Sequence, residues 1–437
     1  MNFEKYEDLL KSIRLTKDSG KVMEVTGLLI KGFLPGASVG SICQIETNQN
    51  TAPILAEVVG FKDREVFMMA MGEMRGVSLG CKVTLTKSVA TVKVSDELLG
   101  RVVNGLGEMI DSKEKLGSYK EISIYSEVVN PLDREPIRKS LDVGVRAINA
   151  TLTVGRGQRI SIMAGSGVGK SVLLGMMSRQ TEADVNVIAL IGERGREVRE
   201  FIENELGPEG MKKSVIVCVT SDQSPLLRMR GAYVATAIAE YFALQKKNVL
   251  LVMDSITRFA MASREIGLSI GEPPTTRGFT PSVFSQLPKL LERAGNFAGG
   301  GSITGFYTTL VEGDDMNDPI GDAVRSIVDG HIVLSRQLAH RSHYPAIDIL
   351  QSASRVMKSV VTPEHMKMAL KIRETLAIYR DAEDLINIGA YKQGANPKID
   401  KAIKFIEPIN ELLKQSTADH SNMAQCLKIM NSIAINL

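Results

Sequence analysis

The sequence predicts an α/β chain in three parts: an N-terminal β-barrel, a core built on a parallel sheet, and a C-terminal helical domain. Three observations predict it. Short apolar runs cut by Gly, Pro and Asn turns fill residues 21–88. From about residue 141, strand-like runs alternate with helical stretches. From Thr362 onward the chain reads helical. At 437 residues it is long enough for two or three domains.

Each part has its own signals. Phe3, Tyr6, Leu9, Leu10 and Ile13 recur at helical spacing among charges, which predicts a short amphipathic helix within residues 1–20. It reads equally as a helix packed on its own domain or as a docking element for a partner or a membrane surface, though its mixed charge argues against membrane binding alone. The barrel, residues 21–88, is expected from apolar runs at 22–30, 39–45, 53–59, 66–70 and 82–85. Residues 89–140 form a connector punctuated by Gly105, Gly107, Pro131 and Pro136. The core, counted with this connector as 89–361, has strand-like runs at 160–163, 185–191, 215–220, 249–253, 303–310 and 331–335, with its clearest helix at 231–246. Such alternation means a parallel sheet covered by helices on both faces. Thr362-Pro363 and Asn396-Pro397 are N-cap-plus-Pro helix starts in the last part, 362–437.

Composition narrows the class. Lys and Arg number 53 against 50 Asp and Glu, a net charge of +3, which argues against a dedicated nucleic-acid binder. Cys43, Cys81, Cys218 and Cys426 are far apart and form no metal-ligand pair. Cys218, in an apolar run, reads as a reduced core residue and suits a reducing cytoplasm. Residues 1–20 are charged throughout and give no secretory leader pattern, and no apolar run approaches the roughly 20 residues of a membrane span.

Residues 164–171 read Ala-Gly-Ser-Gly-Val-Gly-Lys-Ser, between the apolar strand 159–163 and a helix beginning at Lys170. This is a phosphate-binding loop. The glycines let the backbone curl so that its N–H groups converge on phosphate oxygens, and the helix N-terminus adds its positive dipole end. The expected nucleotide-binding set is Gly165, Ser166, Gly167, Val168, Gly169, Lys170, Ser171 and Val172. Lys170 is expected to reach the β- and γ-phosphates and the Ser171 hydroxyl to ligate Mg²⁺. The general pattern opens with Gly where this chain has Ala164, but the phosphate-facing glycines remain.

Two further strands aim carboxylates at the same crevice. Val-Leu-Leu-Val-Met-Asp ends at Asp254, expected to hold the Mg²⁺ shell through water, because ligands of open α/β sheets sit at the carboxyl ends of strands. The strand 185–191 delivers Gly-Glu-Arg-Gly-Arg-Glu, with Glu193 just past its end. A carboxylate there can orient and polarise the water that attacks the γ-phosphate. Arg194 could orient Glu193 or contact phosphate.

Together, Gly-Ser-Gly-Val-Gly-Lys-Ser, Gly-Glu-Arg-Gly-Arg-Glu and Val-Met-Asp-Ser-Ile-Thr-Arg resemble the hexameric rotary ATPase family. That family includes ATP synthase β subunits and the export ATPases of type III secretion. The resemblance extends to residues 100–107, Tyr344-Pro345-Ala346-Ile347-Asp348 and Ser354-Arg355-Val356-Met357. It implies a RecA-like P-loop core between the barrel and the helical domain, with ATP and Mg²⁺ at each interface of a homohexamer. It also implies that Arg355 is an arginine finger reaching a neighbour's ATP, where a guanidinium can neutralise charge on the transferring phosphoryl, and that Tyr344 stacks on adenine.

Local wording separates the branches. Residues 306–319 and 34–40 resemble the type III export branch, and Ile386-Asn387-Ile388-Gly389-Ala390-Tyr391 is most similar to its flagellar members. The resemblance implies a cytoplasmic ATPase, docked at the inner face of the membrane, that energises protein export for flagellum assembly. Its partners would be a regulator, a stalk protein, export chaperones and unfolded substrates. An injectisome ATPase is the near alternative, and an ATP synthase β-type subunit a more distant one. Residues 265–274 are expected to form a channel-facing loop. A non-catalytic ring subunit would lack a carboxylate at Glu193. An RNA-translocating hexamer would need more aromatics than Phe33, Phe61 and Phe67 in its barrel.

Overall fold

The computed structural model describes residues 18–47, 52–111, 115–311, 318–435 and 437. The expected helix residues Phe3, Tyr6, Leu9, Leu10 and Ile13 lie outside the described residues, as do residues 312–317 of the type III segment.

Six strands close the barrel: β1 (Ser19–Thr26), β2 (Leu29–Phe33), β3 (Ile42–Ile45), β4 (Ile54–Lys62), β5 (Glu65–Ala70) and β6 (Lys82–Lys87), in the order β1-β2-β5-β4-β3-β6. The apolar run at 22–30 is two strands, not one. Gly27 takes a φ of +58°, the left-handed region that favours glycine, and turns the chain between Thr26 and Leu29. Strand β1 also begins at Ser19, so the last two residues of the expected N-terminal helix belong to the barrel. Alternate side chains of the strands, among them Ile30, Cys43, Val58, Met68 and Val83, fill the interior.

The core is a nine-stranded sheet. Its main path uses β7 (Arg101–Val103), β8 (Arg159–Ala164), β9 (Val185–Glu193), β10 (Ser214–Thr220), β11 (Asn248–Asp254), β12 (Ser302–Leu310), β13 (Gly330–Leu334) and β14 (Ile347–Ser354), in the order β14-β13-β8-β12-β11-β9-β10-β7. All pair in parallel except β14, which runs antiparallel to β13. The two outer strands, β7 and β14, carry too few consecutive apolar residues to read as core strands from sequence. The others are buried on both faces. Val187, Ala189 and Ile191 pack to one side, Ile188 and Leu190 to the other, as a period of two demands.

The principal helices are α1 (Lys170–Gln180), α2 (Pro225–Leu244), α3 (Ile256–Ser269), α4 (Pro281–Leu291), α5 (Pro319–Ile327), α6 (Pro363–Asn387), α7 (Pro397–Leu413) and α8 (Met423–Ala434). Helix α2 lies directly on β9 and β10. A Cβ on Gly231 would come within 2.6 Å of Val219 Cγ2 and 2.9 Å of Ile191 Cδ1, so only glycine permits this approach. Its outer side meets the barrel. The buried Arg230 donates to the buried Glu57 of β4 at 2.8 Å, and the hydroxyl of the half-buried Tyr125 donates to the same carboxylate at 2.6 Å. Burial holds Glu57 above the usual carboxylate range despite Arg230.

Thr362 and Asn396 cap α6 and α7 as their sequence signals require, each followed by Pro in the first turn. The C-terminal helices bind the core through His365, which contacts the Ala150 carbonyl at 2.9 Å, and Gln415, which donates to the Gly144 carbonyl at 2.8 Å. The segment 265–274 is not a loop throughout. Its first half is the last turn of α3, because Ile266 and Gly267 are buried against the core, Gly267 beside Thr280.

Candidate active site

Strand β8 ends at Ala164, and the chain curls through Gly165–Gly169 into α1. Gly167 and Gly169 have φ of +77° and +90°, so the curl needs glycine at both positions. Ala164 is the last buried residue of the strand and needs no such freedom. Val168 is buried and anchors the loop, whereas Ser166, Gly167 and Ser171 are exposed and Val172 is half-buried.

Strands β9 and β11 lie side by side, with Leu190 opposite Asp254. A bulge between Ile191 and Glu193 carries Glu193 out of the sheet's alternation. Gly192 makes the bulge with a φ of +71°, and a side chain there would press on the stem of Arg258 at 3.1 Å. The Glu193 carbonyl is held by the Ser221 N–H at 3.0 Å.

Three charged side chains converge. The Lys170 ammonium donates to Asp254 Oδ1 at 2.5 Å and to Glu193 Oε1 at 3.4 Å. Burial works against the Lys170 charge, but Asp254 and Glu193 outweigh it and raise its pKa above the usual lysine range. Burial also raises the Glu193 pKa; Lys170 pulls it down and Asp254 pushes it up. A half-desolvated carboxylate with a raised pKa is a better proton acceptor than a solvated one.

Lys170, Ser171, Glu193 and Asp254 are thus gathered at the carboxyl edge of the sheet. Tyr344 joins them: its ring lies over the phosphate loop, 3.6 Å from where a Gly169 Cβ would stand, and is 46% exposed. Its backbone carbonyl accepts from the Gln415 N–H at 2.9 Å, so the C-terminal domain fixes the backbone at Tyr344.

Arg194 and Arg355 are not part of this cluster. Arg194 is exposed and pairs with Glu197 at 3.3 Å, so it does not orient Glu193 directly. It caps the short helix Gly195–Glu200, which turns its side chain outward. Arg355 follows β14. Ser354 pairs with Gly330, at the opposite end of β13 from Leu334, which neighbours Ala164. The guanidinium is on the surface and donates to the carbonyls of Val328 and Arg325, both at 3.3 Å.

Thr308 escaped the sequence reading. Its hydroxyl donates to Asp254 Oδ1 at 2.7 Å from the next strand, β12. The signal was the pair Thr308-Thr309 in a strand buried on both faces, where each hydroxyl needs a partner. Thr309 finds Ser161 at 3.0 Å.

The fit to a nucleotide and a divalent cation rests on this donor set. One ammonium faces two carboxylates, so the cluster carries net negative charge beside a loop shaped for phosphate. Among the described residues no three His, Cys, Asp or Glu side chains form a metal cage. One carboxylate, Asp254, and one hydroxyl, Ser171, beside the phosphate loop suit Mg²⁺, which keeps its waters and takes one or two carboxylates plus substrate oxygens.

Comparison with known proteins agrees with this geometry. The sequence matches the β-barrel domain of the ATP synthase alpha/beta family over residues 22–87 and its nucleotide-binding domain over 144–354. Residues 361–432 match the T3SS EscN ATPase C-terminal domain. The flagellum-specific ATP synthase of Bacillus subtilis is 49% identical over 99% of both chains. The chain belongs to the flagellar and type III secretion ATPase branch of the ATP synthase alpha/beta family. The ATPase also superposes on the assembled EscN ATPase of enteropathogenic E. coli, with a TM-score of 0.90 and 47% identity over 95% of this chain and all of that one. The same protein in complex with its central stalk EscO gives 0.87 and 46% over the same shares. No helix among the described residues of the ATPase is long and apolar enough to cross a membrane.

Proposed function

We propose that this ATPase forms a homohexameric ring that hydrolyses Mg-ATP to energise protein export for flagellum assembly. The observation that carries the reading is the division of the site. Lys170, Glu193 and Asp254 meet at one edge of the sheet, while Arg355 stands near the start of β13 and reaches none of them. A neighbour's Arg355 completing each pocket resolves that division, as in a closed ring of heterologous contacts.

The loop 165–169 and the first turn of α1 would bind the phosphates through backbone N–H groups. Lys170 would leave its two carboxylates for the β- and γ-phosphates. Ser171 and Asp254, the latter through water, would hold Mg²⁺, which supplies charge neutralisation to the phosphate oxygens. Glu193 would accept the proton of the attacking water and aim it in line. Tyr344 would swing from Gly169 onto the adenine. Arg355 from the next subunit would stabilise the charge of the transferring phosphoryl, a contribution of about 10³–10⁵ in rate. Arg194 would act on phosphate or through Glu197.

In this reading the barrel (21–88), the core (89–361) and the helical domain (362–437) work as separate units. The ring is cytoplasmic and docks at the membrane's inner face with a regulator, a stalk protein, export chaperones and their substrates. The EscN–EscO complex supports a stalk partner. The flagellar assignment rests on the 386–391 wording and on relatives named flagellum-specific ATP synthase. The likeness to EscN keeps an injectisome role as the second reading.

A strain lacking the gene, complemented with wild type or Glu193→Gln, tests this. Swimming and flagellin export restored by wild type alone support the flagellar role. Normal filaments without the gene would refute it in favour of an injectisome.

A further inference from the structure

Arg355, the group brought to a neighbour's nucleotide in this reading, is exposed, so its own surroundings must hold it in place. The hydrogen bonds it donates among the described residues go to one short segment. Its N–H donates to the Asp329 carbonyl at 2.9 Å, and its guanidinium to the carbonyls of Val328 and Arg325, both at 3.3 Å. That segment runs from the last turn of α5 to the start of β13.

The segment is itself fastened to β8. Arg159 forks onto the Asp329 carboxylate, Nε to Oδ2 and Nη2 to Oδ1, both at 3.1 Å. The Arg159 N–H donates to Oδ2 as well at 3.0 Å, and the Asp329 N–H donates to the Arg159 carbonyl at 2.9 Å. A fork of this kind fixes direction as well as distance, and the two side chains are only 16% and 24% exposed. Beside it, the buried Gln158 amide donates to the Asp329 carbonyl at 3.3 Å and to the Ser354 hydroxyl at 3.2 Å. The carbonyl that holds Arg355 and the residue before Arg355 thus share one strap.

Strand β8 therefore serves both ends of the reaction. Its carboxyl end enters the phosphate loop, and its amino end, at Arg159, is tied to the segment that carries Arg355. Its six residues span about 16 Å, which separates the Arg159–Asp329 pair from the chain's own phosphate loop.

We propose that Asp329 is a positioning residue for Arg355. Its ion pair with Arg159 fixes residues 325–329 on the sheet, and these fix the guanidinium for a neighbour's site. The proposal rests on Arg355 acting across the interface. Neutralising Asp329 should then damage the next subunit's site and spare its own. Glu292 also pairs with Arg159, from the end of α4 rather than from the Arg355 segment. It keeps Arg159 paired when Asp329 is neutralised, and its own loss should leave Arg355 in place.

Co-assembly of purified variants tests this. Asp329→Asn alone should lose about tenfold or more in turnover, since a misplacement of about 1 Å can cost ~10²-fold. Its nucleotide binding should match wild type, and Glu292→Gln should match wild type in both. Mixed equally with Lys170→Ala subunits, which keep a sound Arg355, Asp329→Asn should regain activity at about a quarter of the interfaces. Mixed with Arg355→Ala subunits it should regain none. Full turnover by Asp329→Asn alone, weakened nucleotide binding, an equal loss in Glu292→Gln, or equal recovery with both partners would overturn the proposal. The Arg355→Ala and Lys170→Ala mixture separates the two claims. Recovery there, with none for Asp329→Asn and Lys170→Ala, overturns the role of Asp329 alone. No recovery there overturns the cross-interface reading and this proposal with it.

Discussion

The Lys170 ammonium sits 2.5 Å from Asp254 Oδ1 and 3.4 Å from Glu193 Oε1, so one cation spans the carboxylates of two adjacent strands. Strand order explains the meeting. Strand β8 feeds the loop that ends in Lys170, β11 ends at Asp254, and β9 ends at Glu193, with β12 alone between β8 and β11. Lys170 thus keeps a buried and a half-buried carboxylate from facing each other uncompensated, which would be costly at this burial.

Thr308 gives the first prediction. Its hydroxyl fixes the Asp254 oxygen that Lys170 also uses. Thr308→Val keeps the shape and removes the hydrogen bond, which to a charged acceptor is worth about 1.5–3 kcal/mol. The Mg²⁺ concentration for half-maximal turnover should rise about tenfold, with nucleotide affinity in EDTA unchanged and Thr308→Ser restoring the wild-type value. An unchanged Mg²⁺ dependence in the Val variant would remove Thr308 from the site.

Arg355 gives the second. Arg355→Ala and Lys170→Ala subunits should each be inactive alone. Mixed in equal amounts, about a quarter of the interfaces would join an intact phosphate loop to an intact Arg355, and activity should return. If no mixture regains turnover, Arg355 does not act across the interface.

Stability in acid gives the third. His343 is buried beside Tyr344, and burial together with Lys414 lowers its pKa to about 4. The unfolded chain protonates it near 6.5. Between these values the unfolded state holds more protons, so the His343 contribution is present above pH 6.5 and is lost as pH falls toward 4. His331 and His365 are lowered in the same direction by burial. The Tm advantage of wild type over His343→Asn should therefore shrink from pH 7 to pH 5. A difference that stays constant would contradict a buried neutral imidazole.

Much of the fold was legible because apolar periodicity is strong where strands are buried on both faces. Strands β8 to β13 declared themselves this way. Strand β14 did not, since Gln351 and Ala353 are exposed at the sheet edge, and β7 is only three residues long. The hairpin at Gly27 hid inside one apolar run because a single glycine makes the turn. In the site, Lys170, Glu193 and Asp254 were legible because each ends a strand or opens a helix. Thr308 was not, because its role depends on which strand lies beside β11, and strand order is not written in any local pattern. The outward turn of Arg194 toward Glu197 likewise follows from a helix start that a motif alone does not reveal.

The most direct test measures nucleotide binding and ATP turnover of Glu193→Gln in one preparation. The amide keeps the shape beside Lys170 but cannot take the proton of the attacking water. The account predicts binding close to wild type and turnover reduced by about 10²–10⁴. Turnover within a few-fold of wild type, at unchanged binding, would contradict Glu193 as the catalytic carboxylate and with it the arrangement of the site.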